Sequence, residues 1–351
     1  MIGYYVHHVG RGHLQHARSI ARQLNDEVTG LSSLPRPDGW AGEWVELSRD
    51  DEAAEPVDPT AYGHLHWAPI GDVGLRSRMA TIAAWIDRSQ PRALVADVSI
   101  EVTALARLMG VPIASMMLPG DRSDPPHHLG YALSDVLIAP WPGSTAGLSD
   151  ASQPWAAKMR HVGAVSRFDG REPLARGGDG RRRVLVLQGD GGSDVRRLDL
   201  DSAARATEGW EWTALGGASG HWAADPWPQI CQADVVVVHA GLNGLAEVAA
   251  ARRPAIVAPQ TRPHDEQYAT ARAIAAAGLA VVVEGWPKPA EWVGHLDQAL
   301  RLGGERWSAW SFGDGAAQAA RIIESVAARG SPRRSSDEHR LDDPVQTPTW
   351  R

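Results

Sequence analysis

The chain has 351 residues, enough for two domains and a large core. Its 42 acidic against 35 basic side chains leave a net charge of −7, which argues against a duplex nucleic-acid partner, since no basic stripe offers counterion release. A single cysteine, Cys231, excludes an internal disulfide and argues against a cysteine-based zinc site.

The first residues, MIGYYV, enter a strand without a basic segment and long apolar stretch, so no signal peptide is expected. No apolar run reaches about 18 residues, so no transmembrane helix is expected. A cytoplasmic protein is the expectation, with peripheral membrane association still compatible. Ile2 to Val9 reads as a strand, Gly10-Arg-Gly12-His13 as a glycine turn, and His16, Ile20 and Leu24 as a helix. A full GxGxxG dinucleotide fingerprint is absent, because residue 15 is Gln. His13 stands at or next to the helix start, at the carboxyl edge of a parallel sheet, where open α/β sheets bind ligands.

Residues 25–75 suggest strands near Val28 and Val45 around a variable acidic and Pro-rich loop. Met79, Ile82, Ala83 and Ile86 have helical spacing. Ala93 to Asp97 reads as a short buried strand, Val102 to Met109 as a helix, and Pro112 to Met117 as another strand. This alternation predicts a parallel sheet with right-handed crossovers. Asp97 lies on the same rim as His13. It either caps the helix beginning near Ser99 or orients His13 as a general base. The polar loop 120–128 follows a strand and reads as turn-forming or pocket-shaping. Its adjacent His127 and His128 are expected to face different ways, with no metal between them. Leu129 to Ser134 reads as a helix and Val136 to Ala139 as a strand.

From Trp141 to Arg183 the chain is rich in Pro, Gly and Ser, apart from an apolar patch at Val162 to Val165. The expected boundaries are a first domain over 1–160, a linker over 161–183, a second domain over 184–328 and a disordered tail over 329–351. Val184 to Gln188 opens the second domain as a strand, and the glycine turn Gly191-Gly192-Ser193 follows. Glu211 to Leu215 reads as the next strand. The chain carries fifteen Trp against five Tyr and two Phe. Trp40, Trp44, Trp67, Trp210, Trp212, Trp222, Trp227, Trp286 and Trp292 are scattered, as expected of core or domain-interface residues; some alternatively line a sugar or lipid-like acceptor site.

The most informative stretch runs from Val235 to Val283. Four Val end at His239, Gly241, Asn243 and Gly244 form a turn, Leu245 and Val248 open a helix, and Pro254 to Pro259 brackets a second strand. The helix start offers unpaired N–H donors and partial positive charge, which suit a diphosphate. Glu247 is one helical turn further on, where it accepts from ribose hydroxyls or is simply solvated. Glu266 and Gln267 follow the next loop.

The series His239-Ala-Gly-x-Asn243-Gly, Glu247, Pro254, Pro259, Glu266-Gln267 resembles the donor-sugar signature of GT-B nucleotide-sugar glycosyltransferases, the UDP-glycosyltransferase-like enzymes and the family 28 C-terminal domain among them. Ala240 and Leu242 depart from the Cys and Trp of the plant-type motif, and the loop before Glu266 is two residues longer, nearer the bacterial peptidoglycan-precursor type. Leu94 to Pro112 resembles the plant-type segment whose Asp partners the catalytic His. The resemblance implies a GT-B fold, two Rossmann-like doubly wound parallel-sheet domains facing a cleft. It also implies an inverting, metal-independent transfer from a UDP- or dTDP-sugar to a hydroxyl, without a cofactor. His13 and Asp97 are then catalytic. Gly191, Gly192, Ser193, His239, Gly241, Asn243, Gly244, Glu247, Glu266 and Gln267 bind the donor. Trp222 and Trp227 fall where the family places base-contacting residues, without a residue-by-residue match. The last helix is implied to cross back to the first domain. The acceptor, a small molecule or a glycan- or lipid-linked group, depends on residues 25–75 and 120–128. A 2-epimerase or hydrolase on the same fold, a non-catalytic partner protein and a nicotinamide oxidoreductase are the alternatives.

Overall fold

The computed structural model describes residues 1–52, 54–145, 147–148, 152–174, 180–189, 192, 194–217 and 222–329. Among these residues the strands form two parallel sheets. The first contains β1 (Ile2–Tyr5), β2 (Val28–Ser32), β3 (Trp44–Glu46), β4 (Ala93–Asp97), β5 (Ile113–Met116), β6 (Val136–Ala139) and β7 (Met159–His161), in the order β3-β2-β1-β4-β5-β6-β7. The second contains β8 (Arg182–Leu187), β9 (Trp210–Leu215), β10 (Val235–Val238), β11 (Ala255–Val257) and β12 (Val281–Val282), in the order β12-β11-β10-β8-β9. Strands such as β4 and β10 are buried at every residue, because helices cover both faces of each sheet. That burial explains why Ala-Leu-Val-Ala and Val-Val-Val-Val are apolar without alternation.

Both sheets have a point where the chain reverses its direction of travel. After β1 the chain moves to β2 on one side and later to β4 on the other; after β8 it moves to β9 and later to β10. Adjacent carboxyl ends with diverging connections leave a crevice between them. The turn after β1 carries His13 and the end of β4 carries Asp97. β8 is followed by Gln188 and Gly189, and the end of β10 leads to His239. The register seats Tyr5 beside Ala96 and Leu187 beside Val238, so each pair of ends is level.

The helices are α1 (Arg11–Ala21), α2 (Val73–Ser89), α3 (Ile100–Leu108), α4 (Pro125–Leu133), α5 (Arg197–Ala206), α6 (Trp227–Gln232), α7 (Leu242–Ala250), α8 (Glu266–Ala276), α9 (Trp292–Leu302) and α10 (Gly315–Arg329). None is long and apolar enough to cross a membrane. α4 begins earlier than its apolar spacing indicates. Asp124 accepts from the His127 N–H, and proline occupies the first turn, where its missing donor is harmless. This start puts His127 and His128 on a helix rather than in a loop.

Although it follows the second domain in sequence, α10 packs on the first sheet. Ala319, Ile323 and Val326 share a buried cluster with Ile2, Val95 and Ile138. Residues 162–168 are also largely buried, so part of the stretch expected as linker is fixed by packing. A second cluster runs without a break from Tyr131, Trp141 and Trp155 of the first domain through Phe168 to Trp227, Trp307 and Trp310. Much of the unusual Trp content therefore cements the junction. The expected tail lies outside the described residues from 330 onward.

Ile323 has no exposure and belongs to the cluster that docks α10. Ile323→Ala is expected to lower unfolding free energy by about 2–5 kcal/mol in urea denaturation. A loss under about 1 kcal/mol would mean that α10 is not docked there.

Candidate active site

The two crevices face each other across a cavity of about 430 Å³. His13, His16, Leu118 and Pro119 line it from the first domain, and Gly192, His239, Asn243, Glu247, Glu266 and Gln267 from the second. The glycine turns approach closely. A Cβ on Gly12 would meet the Asn243 side-chain nitrogen at 2.5 Å, so a larger residue there would displace that side chain. Gly10, preceding α1, has φ +87, which only glycine adopts without strain.

His13 lies in the first turn of α1, and its Nδ1 is 3.0 Å from Oδ2 of Asp97. Asp97 is 1 % exposed and is not a helix cap. Ser99 fills that role, accepting from the Val102 N–H at 3.2 Å. Between them Val98 has φ +62, an outlier for a β-branched residue and one that costs about 1–3 kcal/mol. The kink turns the Asp97 carboxylate toward α1. Burial alone would lower the His13 pKa, but the charge and hydrogen bond of Asp97, with Glu266 across the cavity, hold it above its ordinary value. Asp97 is likewise held below the usual carboxylate range, its burial penalty outweighed by His13 and by the neighbouring His16 and His7. Burial pushes His7 and His16 down to about 4, so both are neutral near pH 7 and His13 keeps the carboxylate. With Nδ1 bound to Asp97, the other ring nitrogen is the one that can take a proton from a ligand.

On the opposite wall, His239 is buried and its Nδ1 donates to the Ala258 carbonyl at 2.9 Å. Burial is the first cause of its lowered pKa. In the neutral ring Nε2 is then an acceptor. α7 begins at Leu242 after Gly241 with no side chain capping it, which leaves its first N–H groups without a capping side chain at the cavity wall that Gly241, Asn243 and Gly244 line. Glu247 receives Nε of Arg167 at 2.8 Å, and burial holds its pKa up. The Gln267 side-chain oxygen accepts from the Gln260 N–H at 2.9 Å. Glu266 opens α8 and meets Nη2 of Arg122, from the first domain, at 3.4 Å. Gly191 and Ser193 lie outside the described residues; Gly192 is on the cavity wall.

Three arginines escaped the sequence reading. Arg167 orients Glu247, Arg122 reaches Glu266 across the domains, and Arg262 lines the cavity while bonding Gly192 O at 2.8 Å. Each acts through a partner distant in sequence, so no local spacing marks it. The one available signal was Arg167 beside the apolar patch at Val162 to Val165. His7 and His16 were likewise visible only as residues flanking the glycine turn. Trp222 is half-exposed on the cavity rim, whereas Trp227 is buried in the junction.

Asp97→Asn removes the negative charge that holds the His13 pKa up and leaves burial to lower it. Proton NMR titration is expected to place the imidazole above about 6.5 in the parent chain and below it in the variant. An unchanged midpoint would show that the bond is not made in solution.

Residues 226–293 match the glycosyltransferase family 28 C-terminal domain. The sequence matches no curated protein. Among solved structures, the glycosyltransferase of kitacinnamycin superposes with a TM-score of 0.65 at 18% identity, over 93% of this chain and 98% of its own. MurG of Acinetobacter baumannii gives 0.63 at 15% identity, over 92% and 99%. The spinosyn rhamnosyltransferase SpnG complexed with thymidine diphosphate gives 0.51 at 16% identity, over 94% and 96%. The two parallel-sheet domains therefore have the GT-B fold of these structures, and within the second of them residues 226–293 match the family 28 C-terminal domain.

Proposed function

We propose that the protein is an inverting transferase that moves a sugar from a nucleoside diphosphate sugar, UDP- or dTDP-linked, to a hydroxyl acceptor. The observation that carries this reading is the His13–Asp97 pair, 3.0 Å apart, facing the start of α7 across one cavity. A base on one wall and an anion-favouring helix terminus on the other are the two halves of a displacement at an anomeric carbon. The complex of SpnG with thymidine diphosphate supports a diphosphate ligand for this fold.

In the proposed reaction the acceptor oxygen forms a bond to the anomeric carbon while that carbon's bond to the phosphate oxygen breaks. The hydroxyl proton passes to the His13 nitrogen not bound by Asp97, and the bonding pair leaves with the diphosphate. Asp97 keeps the tautomer and stabilises the imidazolium. The leaving-group charge falls to the N–H groups at the start of α7, to His239 and to Arg262, a task that fixed dipoles perform without a metal. Glu247, held by Arg167, faces the ribose hydroxyls, Glu266 and Gln267 face the sugar, and Gly192 lies beside the phosphates. A second cavity of about 290 Å³, lined by His7, Asp50, His66, Trp67 and Glu101, shares Val9 with the first, and the His7 ring lies 5.6 Å from that of His13. We assign the acceptor to this second cavity, which places part of the specificity in residues 50–67.

His13→Ala is expected to lower kcat about 10²- to 10⁴-fold with donor affinity nearly unchanged. Near-normal turnover in steady-state assays would remove His13 from the mechanism. For the parent enzyme kcat should fall as pH drops through the raised His13 pKa, because protonation consumes the base.

His239 supplies a separate test. Its neutral ring has no Nε2 proton to offer, so binding a diphosphate takes one up. Affinity for UDP or dTDP is expected to fall as pH rises above the lowered His239 pKa, where the uptake costs progressively more. Calorimetry in buffers of different ionisation enthalpy should report the proton, and His239→Gln should abolish the slope. A flat profile in the parent chain would leave the backbone donors alone to hold the phosphate.

A further inference from the structure

Beyond Glu266, at the edge of the cleft, four side chains converge from both domains. His66 comes from the loop before α2, Asp124 and His127 from the start of α4, and His264 from the turn before α8. Nε2 of His66 is 3.3 Å from Oδ1 of Asp124, while Nδ1 of His127 and Nδ1 of His264 are 2.6 and 3.6 Å from Oδ2. One ligand atom from each residue lies within 4.8 Å of all the others. We propose that these four residues bind one divalent transition-metal ion of the zinc class, which ties the loop carrying Glu266 to the first domain and takes no part in the transfer itself.

The geometry fits such an ion. A tetrahedral centre with ligands at 2.0–2.2 Å has ligand-to-ligand edges of about 3.3–3.6 Å. His66 to Oδ1 and His264 to Oδ2, at 3.3 and 3.6 Å, already have this length to the two oxygens of one carboxylate, and the His127 to Oδ2 separation is a hydrogen bond that opens by under about 1 Å. Three imidazoles and one carboxylate form a borderline nitrogen and oxygen set, suited to zinc or cobalt and unsuited to calcium or magnesium, which prefer all-oxygen shells. Three rings crowd the single Asp124 carboxylate, although His264 Nδ1 also has the Asp121 carbonyl at 3.1 Å, a bond it would exchange for the ion, and the nearest further charge is the Arg122 cation. Nη1 of Arg122 lies 3.3 Å from Nε2 of His127. The guanidinium is otherwise anchored to Pro119 O at 2.9 and 3.2 Å and to Glu266 at 3.4 Å, so it can release the ring without losing its seat.

The backbone supports the same conclusion. His264 and Asp265 have φ +59 and +56, a left-handed conformation that costs non-glycine residues about 1–2 kcal/mol each. That turn carries the His264 ring to the first domain, where its carbonyl also accepts from Asp121 N at 2.9 Å. Gly120, at φ +96, permits the approach: a Cβ there would lie 2.2 Å from the His264 carbonyl. Strain of this kind persists where the surroundings over-determine it. His127 is 8 % exposed at its side chain and His66 and His264 are 31 %, so the centre is walled on one side and reachable from the other.

The test is to strip the full-length chain with a chelator and titrate it with cobalt(II) while recording the visible spectrum. The expected result is one equivalent bound at micromolar cobalt, with the intense absorption of a tetrahedral site, displaced by zinc. His66→Ala and His264→Ala, each made separately and checked by circular dichroism, should each lose that absorption. His128→Ala, next to the site but outside it, should keep it. Absence of stoichiometric uptake in the parent chain, or uptake that survives both substitutions, overturns the proposal; the second outcome would move the ion to the separate grouping of His8, Asp50 and Asp51.

Discussion

A buried carboxylate needs a partner, and the partner that Asp97 has constrains the whole first domain. With 1 % exposure and an imidazole 3.0 Å away, it cannot be moved without stranding a charge in a medium that does not solvate it. The residues around it fit that constraint. Val98 takes a backbone conformation that valine avoids, Ser99 relieves Asp97 of capping, and two further histidines nearby are kept neutral by burial. The sheet order supplies the location, because β1 and β4 are neighbours whose connections leave in opposite directions.

The second domain solves a related problem with different groups. Its reversal point lies between β8 and β10, and there the polar ends belong to backbone rather than to a carboxylate. α7 starts without a side-chain cap, and the His239 ring is fixed by a carbonyl. The two halves of the cavity are therefore complementary. One presents a base held by a negative charge, and the other presents donors that favour one. The apolar junction through Trp141, Phe168, Trp227 and Trp310, together with α10, holds these surfaces opposed.

The parallel sheets were readable because their strands are buried on both faces and therefore apolar throughout, and because glycine turns punctuate their ends. His13, Asp97 and His239 were readable for the same reason: they stand at the ends of such runs. Asp97 alone could not reveal its partner, since a strand-end Asp before Ser99 equally suits a helix cap. Only the adjacency of β1 and β4 decides between the two. The start of α4 was missed because Asp124-Pro-Pro is also turn chemistry, and its helical role depends on the His127 N–H it captures. Arg122, Arg167 and His264 were invisible because their partners lie in another domain, and contacts of that range leave no periodic trace. The buried part of the linker was read as loop because its Pro and Gly content outweighed one short apolar patch, which is the part that α10 covers.

The central claim is a single displacement at an anomeric carbon by a hydroxyl activated on the first domain. The most direct test is proton NMR of the anomeric centre during turnover with an α-linked UDP- or dTDP-sugar and a hydroxyl acceptor. A product carrying only the β-linkage is the predicted result. Retention of the α-configuration, or conversion of the donor that proceeds equally well without an acceptor, would contradict the account.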